Sequence, residues 1–186
     1  MKSKLGLHLN VSYQLRDKDG NEKPIFQENR FFRFLIKYGI LSPNFIKIPL
    51  LFGTWGNVKV VDNLVTNAGK AIVAGLMTGD VTNFFDYIAV GTGTTGAALT
   101  DTTLETETAD SGLSRAASTN SRVTTDVTND TAQFAKTFTV TGTKAVTESG
   151  VFDASSTGGL LARQTFSAIN VVSGDSLTIT WKVDVD

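Results

Sequence analysis

The sequence predicts a mainly β protein: an antiparallel jelly-roll-like β-sandwich with an N-terminal β-hairpin, an apolar arm and one or two short helices. Three observations predict this fold. Apolar and polar residues alternate strictly near both ends of the chain. The C-terminal two thirds contain short apolar runs separated by Gly, Ser, Asn and Asp. Threonine, a β-branched residue typical of strands, is the dominant polar residue from Thr54 onward and is absent before it.

The composition excludes several classes of protein. The 186 residues include no cysteine, which excludes a disulfide scaffold, thiol chemistry and cysteine-ligated zinc. The single histidine, His8, leaves little for acid–base or metal chemistry. A net charge of -1 provides no basic field for nucleic acid. We therefore expect a non-enzymatic globular protein with no cofactor, no metal and no nucleic-acid partner.

The chain shows no pattern typical of export or of a membrane span. Residues Leu5–Leu15 alternate in polarity, whereas the apolar core of a signal peptide is continuous. The most apolar stretch, Phe31–Phe52, is interrupted by charged residues and by Pro43 and Pro49. We expect a soluble protein made in a cytoplasm, without a membrane partner.

Charge divides the chain into two parts. Residues 1–50 hold nine of the 17 basic and four of the 18 acidic residues, a net charge of +5, and residues 51–186 carry -6. Most phenylalanines of the first part lie close together, between positions 26 and 52. We predict a hairpin and apolar assembly arm over residues 1–60, and a threonine-rich β-sandwich over residues 61–186 with one helix near 64–78.

The first elements form a predicted hairpin. The alternation over Leu5–Leu15 indicates a strand, Asp17–Asn21 a turn, and Pro24–Gln27 the returning strand. A calcium loop is the alternative for the turn, but Gly20 comes too early for that signature.

The next stretch is apolar but weakly patterned. Helical spacing predicts a short helix in Arg30–Leu41, followed by an extended segment, Asn44–Trp55. Two interpretations stay open: this stretch covers one end of the core, or it is an arm that buries its aromatic side chains on another subunit. The predicted assembly-interface residues are Phe31, Phe34, Tyr38, Phe45 and Trp55.

A second helix is predicted over Asn63–Thr78, because its apolar residues fall on one face. Thr66 or Asn67 would cap its start, and Gly79 would provide the left-handed residue after its end.

The rest of the sequence predicts strands. In the last strand Leu177, Ile179, Trp181, Val183 and Val185 share one face. The predicted strands are Phe84–Val90, Ser121–Thr128, Thr131–Val140, Val146–Phe152, Leu160–Phe166 and Leu177–Val185.

The segment Gly91–Gly96 matches G-x-G-x-x-G, with Asp110 at a suitable distance for a dinucleotide site. Such a site requires a helix to begin at the last glycine and a second βαβ unit to follow. Here Ala97–Thr103 is followed by further strands, so we favour a flexible strand-to-loop connection.

Four carboxylates lie close together at Asp101, Glu105, Glu107 and Asp110. Two of them could serve glycoside hydrolysis, but the surrounding run is threonine-rich and lacks aromatic residues. We interpret it as a solvated acidic loop. His8 lies in the polar register of the first strand, which predicts a surface or edge position.

Several segments together resemble small structural proteins of tailed bacteriophages. The resemblance covers residues 60–186 well and 5–40 loosely, and the segment 44–57 departs from it. It rests on Asn63-Leu-Val-Thr-Asn-Ala-Gly-Lys-Ala, Tyr87-Ile-Ala-Val-Gly-Thr-Gly-Thr-Thr, Asp101-Thr-Thr-Leu-Glu-Thr-Glu, Thr147-Glu-Ser-Gly-Val-Phe-Asp-Ala, Gly159-Leu-Leu-Ala-Arg-Gln-Thr-Phe and Ser173-Gly-Asp-Ser-Leu-Thr-Ile-Thr-Trp.

The resemblance implies a virion structural protein without catalytic residues, assembled in the host cytoplasm. We expect a capsid decoration or cement protein that binds the shell through its N-terminal region. Its expected partners are other copies of itself, as a trimer, and other virion proteins such as the major capsid protein. The alternatives are a tail, neck or fibre-base component, and a carbohydrate- or receptor-binding module.

Overall fold

A computed structural model describes residues 6–28, 53–62 and 64–185. Within these ranges the chain forms thirteen strands and one helix. In chain order the elements are β1 (Leu7–Arg16), β2 (Glu22–Lys23), β3 (Ile25–Glu28), β4 (Gly53–Gly56), β5 (Val58–Asp62), β6 (Leu64–Val65), α1 (Asn67–Thr78), β7 (Tyr87–Gly91), β8 (Ala116–Ala117), β9 (Thr119–Val123), β10 (Thr131–Thr139), β11 (Lys144–Phe152), β12 (Leu160–Val171) and β13 (Ser176–Val185).

The strands form two main antiparallel sheets. The first has the order β2-β1-β13-β10-β9, with β5 also paired to β1, and the second has the order β6-β12-β11-β7-β8. Side chains of both sheets, such as Tyr13, Trp181 and Val151, join one buried apolar cluster, so the core lies between the sheets. The prediction of a mainly β antiparallel sandwich is confirmed.

The first and last described strands pair along their whole length, from Leu7 opposite Val185 to Arg16 opposite Ser176. The predicted alternation of both is confirmed, because the apolar residues of each strand face the core. β1 therefore belongs to the same sheet as β13. The proposed domain division at residue 60 stays a prediction.

The N-terminal hairpin is shorter than predicted. The turn is present, with Gly20 at φ 83°, but β1 pairs with only the two residues of β2. Pro24 has no N–H to donate, so the ladder ends there, and β3 pairs with β4 instead. Residues Asn10–Gln14 of β1, next to those that pair with β2, pair with β5. The predicted strand over Pro24–Gln27 is therefore present as β3, but its predicted pairing with the first strand is wrong.

The helix is confirmed, with a later start. Leu64–Val65 form strand β6, and α1 begins after Thr66, whose hydroxyl accepts the Gly69 N–H at 2.9 Å. Gly79 follows the helix with φ 80°. Gly69 packs directly on the backbone of Leu161 in β12, where a Cβ would clash. The cap and the close contact together fix the helix against the second sheet.

The predicted strands Phe84–Val90 and Ser121–Thr128 are shorter in the structure, and Leu160–Phe166 continues to Val171 in β12. β7 begins at Tyr87 and not at Phe84, since its ladder partner β11 ends at Phe152. β9 ends at Val123, because the carboxylate of Asp130 accepts N–H groups of the following residues and forms a turn there.

The predicted helix within Arg30–Leu41 lies outside the described residues. Of the extended segment Asn44–Trp55, the structure describes the part within β4, which supports an extended conformation there. Glu28 and Gly53 are directly paired, so the two ends of the intervening segment are held side by side. Among the described residues, α1 is too short to cross a membrane.

Candidate functional site

The most unusual site of the described chain is a buried charge cluster on the second sheet. Along β11, Ser149 and Val151 face the core between the sheets, since Trp181 donates to Ser149 and Val151 joins the main cluster. Alternation places Glu148 and Phe152 on the opposite face. The loop 92–106, between β7 and the bridge that joins Gly91 to Glu107, covers that face.

Glu148 is fully buried, with 0% exposure. Its Oε1 accepts the N–H groups of Gly93 at 2.9 Å and Thr106 at 2.7 Å. Its Oε2 accepts the N–H of Glu105 at 3.0 Å and Nε of Arg163 at 2.8 Å. A carboxylate has about four lone-pair sites, so these four bonds satisfy it.

Arg163 lies on β12 and is 3% exposed. Besides Glu148, it donates Nη1 to Asp101 Oδ2 at 2.9 Å and Nη2 to the Thr95 carbonyl at 3.0 Å. Burial alone lowers the pKa of a guanidinium, but the hydrogen bonds to Asp101 and Glu148 outweigh it and raise the pKa of Arg163. Glu148 and Arg163 thus bond to each other and both hold the loop 92–106.

Two glycines of the G-x-G-x-x-G segment exist for this close approach. A Cβ on Gly91 would clash with Glu148 Oε1 and the Thr106 carbonyl. A Cβ on Gly93 would lie 2.5 Å from both Glu148 Oε1 and Glu105 Cβ. Nothing lies within 4 Å of a Cβ on Gly96. The motif thus brings the Gly93 N–H to an internal carboxylate, and the predicted flexible strand-to-loop connection is a loop bonded to the sheet.

The four acidic residues predicted to be solvated each have a basic partner. Asp101 and Glu105 pair with Arg163, Glu107 with Arg115 and Asp110 with Lys144. Backbone and side-chain hydrogen bonds from Thr95 lower the pKa of Glu105. Glu105, Glu107 and Asp110 are exposed, as the prediction of a solvated acidic loop requires. The prediction did not include their ion pairs with basic side chains.

Arg115 forms a second anchor on the same side of the sheet. Its guanidinium lies 3.6 Å from the ring centroid of Phe152, a cation–π contact, and it binds Glu107 through two nitrogens. Its Nη1 also donates to the carbonyls of Ala154 and Thr157. Arg115 therefore fixes the loop between β11 and β12.

Four of the five predicted assembly residues lie outside the part of the chain that the structure describes. Phe31, Phe34, Tyr38 and Phe45 lie outside the described residues, and Trp55 lies in β4, where it is paired with Phe26. Their role stays a prediction.

Other predicted positions are described. His8 is exposed on β1, as predicted. Asp17 accepts the N–H groups of Asp19 and Asn21 through Oδ1 and the Asn21 side-chain amide through Oδ2, which confirms a turn closed by its own carboxylate.

Sequence analysis missed Glu148, Arg163 and Arg115. The signal was present, because Glu148 and Arg163 are the only charged residues of the predicted strands Val146–Phe152 and Leu160–Phe166, and their charges are opposite in sign. Unpaired charges are rarely buried, so a lone acid in one strand and a lone base in the next predict an ion pair.

The cluster holds a loop and offers no free acid–base pair, since the Glu148 oxygens and the Arg163 nitrogens are already bonded. Within the described ranges, no group of three or more potential metal-ligating side chains comes together. The fold and the cluster define a β-sandwich protein with an internally bonded loop. No family model, no curated protein and no solved structure matches this chain.

Proposed function

We propose that this chain is a non-enzymatic structural protein of a tailed-bacteriophage virion, a decoration protein bound to the capsid shell through its N-terminal region. The observation that supports a structural role is the use of the buried charges. Glu148 and Arg163, the charged pair buried deepest in the described chain, bond a loop to the sheet and to each other. The resemblance of residues 60–186 to small phage proteins supports a role in the virion.

The attachment region is the aromatic-rich segment between β3 and β4. Its two ends are paired at Glu28 and Gly53, and Ile25 at the base of this ladder is buried in the main core. A ladder rooted in the core is a suitable base for an element that binds a neighbour. Burial of aromatic side chains there would stabilise attachment by ~25 cal/mol per Å² of apolar surface.

The first test compares two aromatic-to-acid substitutions. Phe34→Asp should abolish binding to particles that lack this protein, whereas Phe84→Asp, at a side chain 61% exposed on the body, should bind normally. Co-sedimentation measures binding, and circular dichroism checks that both variants keep the β fold. Full occupancy by Phe34→Asp would contradict attachment through this segment.

The register of β3 and β4 allows the whole intervening segment to be removed. Because Glu28 and Gly53 are direct partners, residues 29–52 can be replaced by Asn-Gly, the preferred two-residue hairpin turn. We expect a folded protein that no longer binds particles. Retained binding would place the attachment site on the β-sandwich.

The position in the virion needs a separate measurement. Electron microscopy of particles labelled against this protein should show label around the head, with hundreds of copies per particle. Label at one vertex or along the tail, with about a dozen copies or fewer, would support the tail, neck or fibre-base alternative.

A further inference from the structure

The loop 92–106 is closed at its base. Gly91 and Glu107 form an isolated bridge, and the Thr92 N–H donates to the Thr106 carbonyl at 2.9 Å. The loop therefore leaves and re-enters the fold at one point, as compact surface loops of this length do.

The loop is held mainly by charged groups. Leu104 is the buried apolar side chain of this fully described loop, and it packs on Ala89, Phe152 and Leu160. Most of the other anchors converge on two side chains of the sheet: Glu148 accepts three loop N–H groups, and Arg163 bonds Thr95, Asp101 and Glu105. The Thr147 hydroxyl also donates to the Gly93 carbonyl at 2.7 Å. The Asn67 N–H adds a bond to the Leu99 carbonyl.

These contacts are coupled because the anchors are shared. Glu148 and Arg163 are bonded to each other, so moving either side chain disturbs the contacts of both. If only part of the loop lifted, a buried charge would lose some of its partners, which is costly. Partial opening is thus less favourable than complete opening.

We propose that the loop 92–106 is a strap that opens as one unit, ahead of the rest of the sandwich, with the Glu148–Arg163 pair as its latch. Opening exposes the apolar face formed by Ala89, Phe152 and Leu160, while the core between the two sheets stays closed. This inference does not depend on the virion role.

Hydrogen exchange measured by mass spectrometry tests the strap on the full chain. In Glu148→Gln, the side-chain NH₂ would face Arg163 Nε and the Glu105 N–H, setting donor against donor. In the parent protein we expect peptides covering 92–106 to exchange faster than those of β10 and β13, and Glu148→Gln to make the loop peptides exchange at least tenfold faster still. Asp110→Asn, which removes an ion pair outside the loop, should leave the loop unchanged.

Two results would overturn the proposal. If loop peptides of the parent protein exchange as slowly as those of β10 and β13, the loop opens only with the whole protein. If Glu148→Gln does not accelerate the loop peptides, Glu148 is not the latch. If Glu148→Gln fails to fold, Asp101→Asn provides the same comparison with a milder change, because it removes one charge from Arg163 and keeps the side-chain shape.

Discussion

Arg163 Nε lies 2.8 Å from Glu148 Oε2, and the two side chains are buried on adjacent strands of the second sheet. A buried ion pair is costly to desolvate and stabilises a fold only when its remaining donors and acceptors are satisfied. Here the loop 92–106 supplies those partners. The pair and the loop are therefore one structural feature, in which each supplies hydrogen-bond partners to the other.

Removing one charge of this pair should strongly lower the free energy of unfolding. Glu148→Leu leaves the Arg163 guanidinium buried without its main partner, and such changes cost about 3–5 kcal/mol. Urea unfolding at pH 7 measures the loss. Glu107→Gln, an exposed partner of Arg115, is the comparison and should cost much less. Equal losses would show that burial of the pair does not matter.

The G-x-G-x-x-G segment contains its own control. Gly91→Ala and Gly93→Ala place a methyl group against Glu148 and should lower the free energy of unfolding by about 1–3 kcal/mol, the usual cost of overpacking. Gly96→Ala meets open space and should lie within about 0.5 kcal/mol of the parent protein. A loss for Gly96→Ala as large as those at Gly91 and Gly93 would contradict this steric explanation.

Acid should weaken the β9–β10 loop through Asp130. The N–H groups of Val127 and Thr125 lower the pKa of Asp130 far below its ordinary value. Its folded pKa lies below its unfolded pKa, so its contribution is present above about pH 4 and is lost as the pH falls through the folded pKa. Urea midpoints between pH 7 and pH 2 should fall less steeply in Asp130→Asn than in the parent. Identical slopes would exclude this contribution.

Ionisation of Asp86 should have the opposite effect on stability to that of Asp130. Burial, and then repulsion by Asp153, raise the pKa of Asp86. An acid with a raised folded pKa destabilises the fold once it ionises, so Asp86→Asn should raise the melting temperature at pH 7 and have little effect below about pH 4. Thermal unfolding at both pH values checks this, with Asp126→Asn on an exposed loop as the comparison. A lower melting temperature at pH 7 would contradict it.

Local chemistry made much of the fold predictable. The alternation in β1 and β13 and the capping residues Thr66 and Gly79 were recognised correctly, because these signals depend on residues close in sequence. Boundaries failed where a distant partner decides them. β7 starts where β11 ends, and Pro24 diverts the chain to β4, which no local pattern reveals.

The candidate site needed the tertiary structure for the same reason. The sequence alone determined a β-sandwich with a glycine-rich connection and a run of acidic residues. Only the folded chain decided that Gly93, Asp101 and Glu105 meet Glu148 and Arg163, residues 43 to 62 positions away along the chain. Burial then turns those charges into partners, because an isolated charge inside a protein costs more than a satisfied pair.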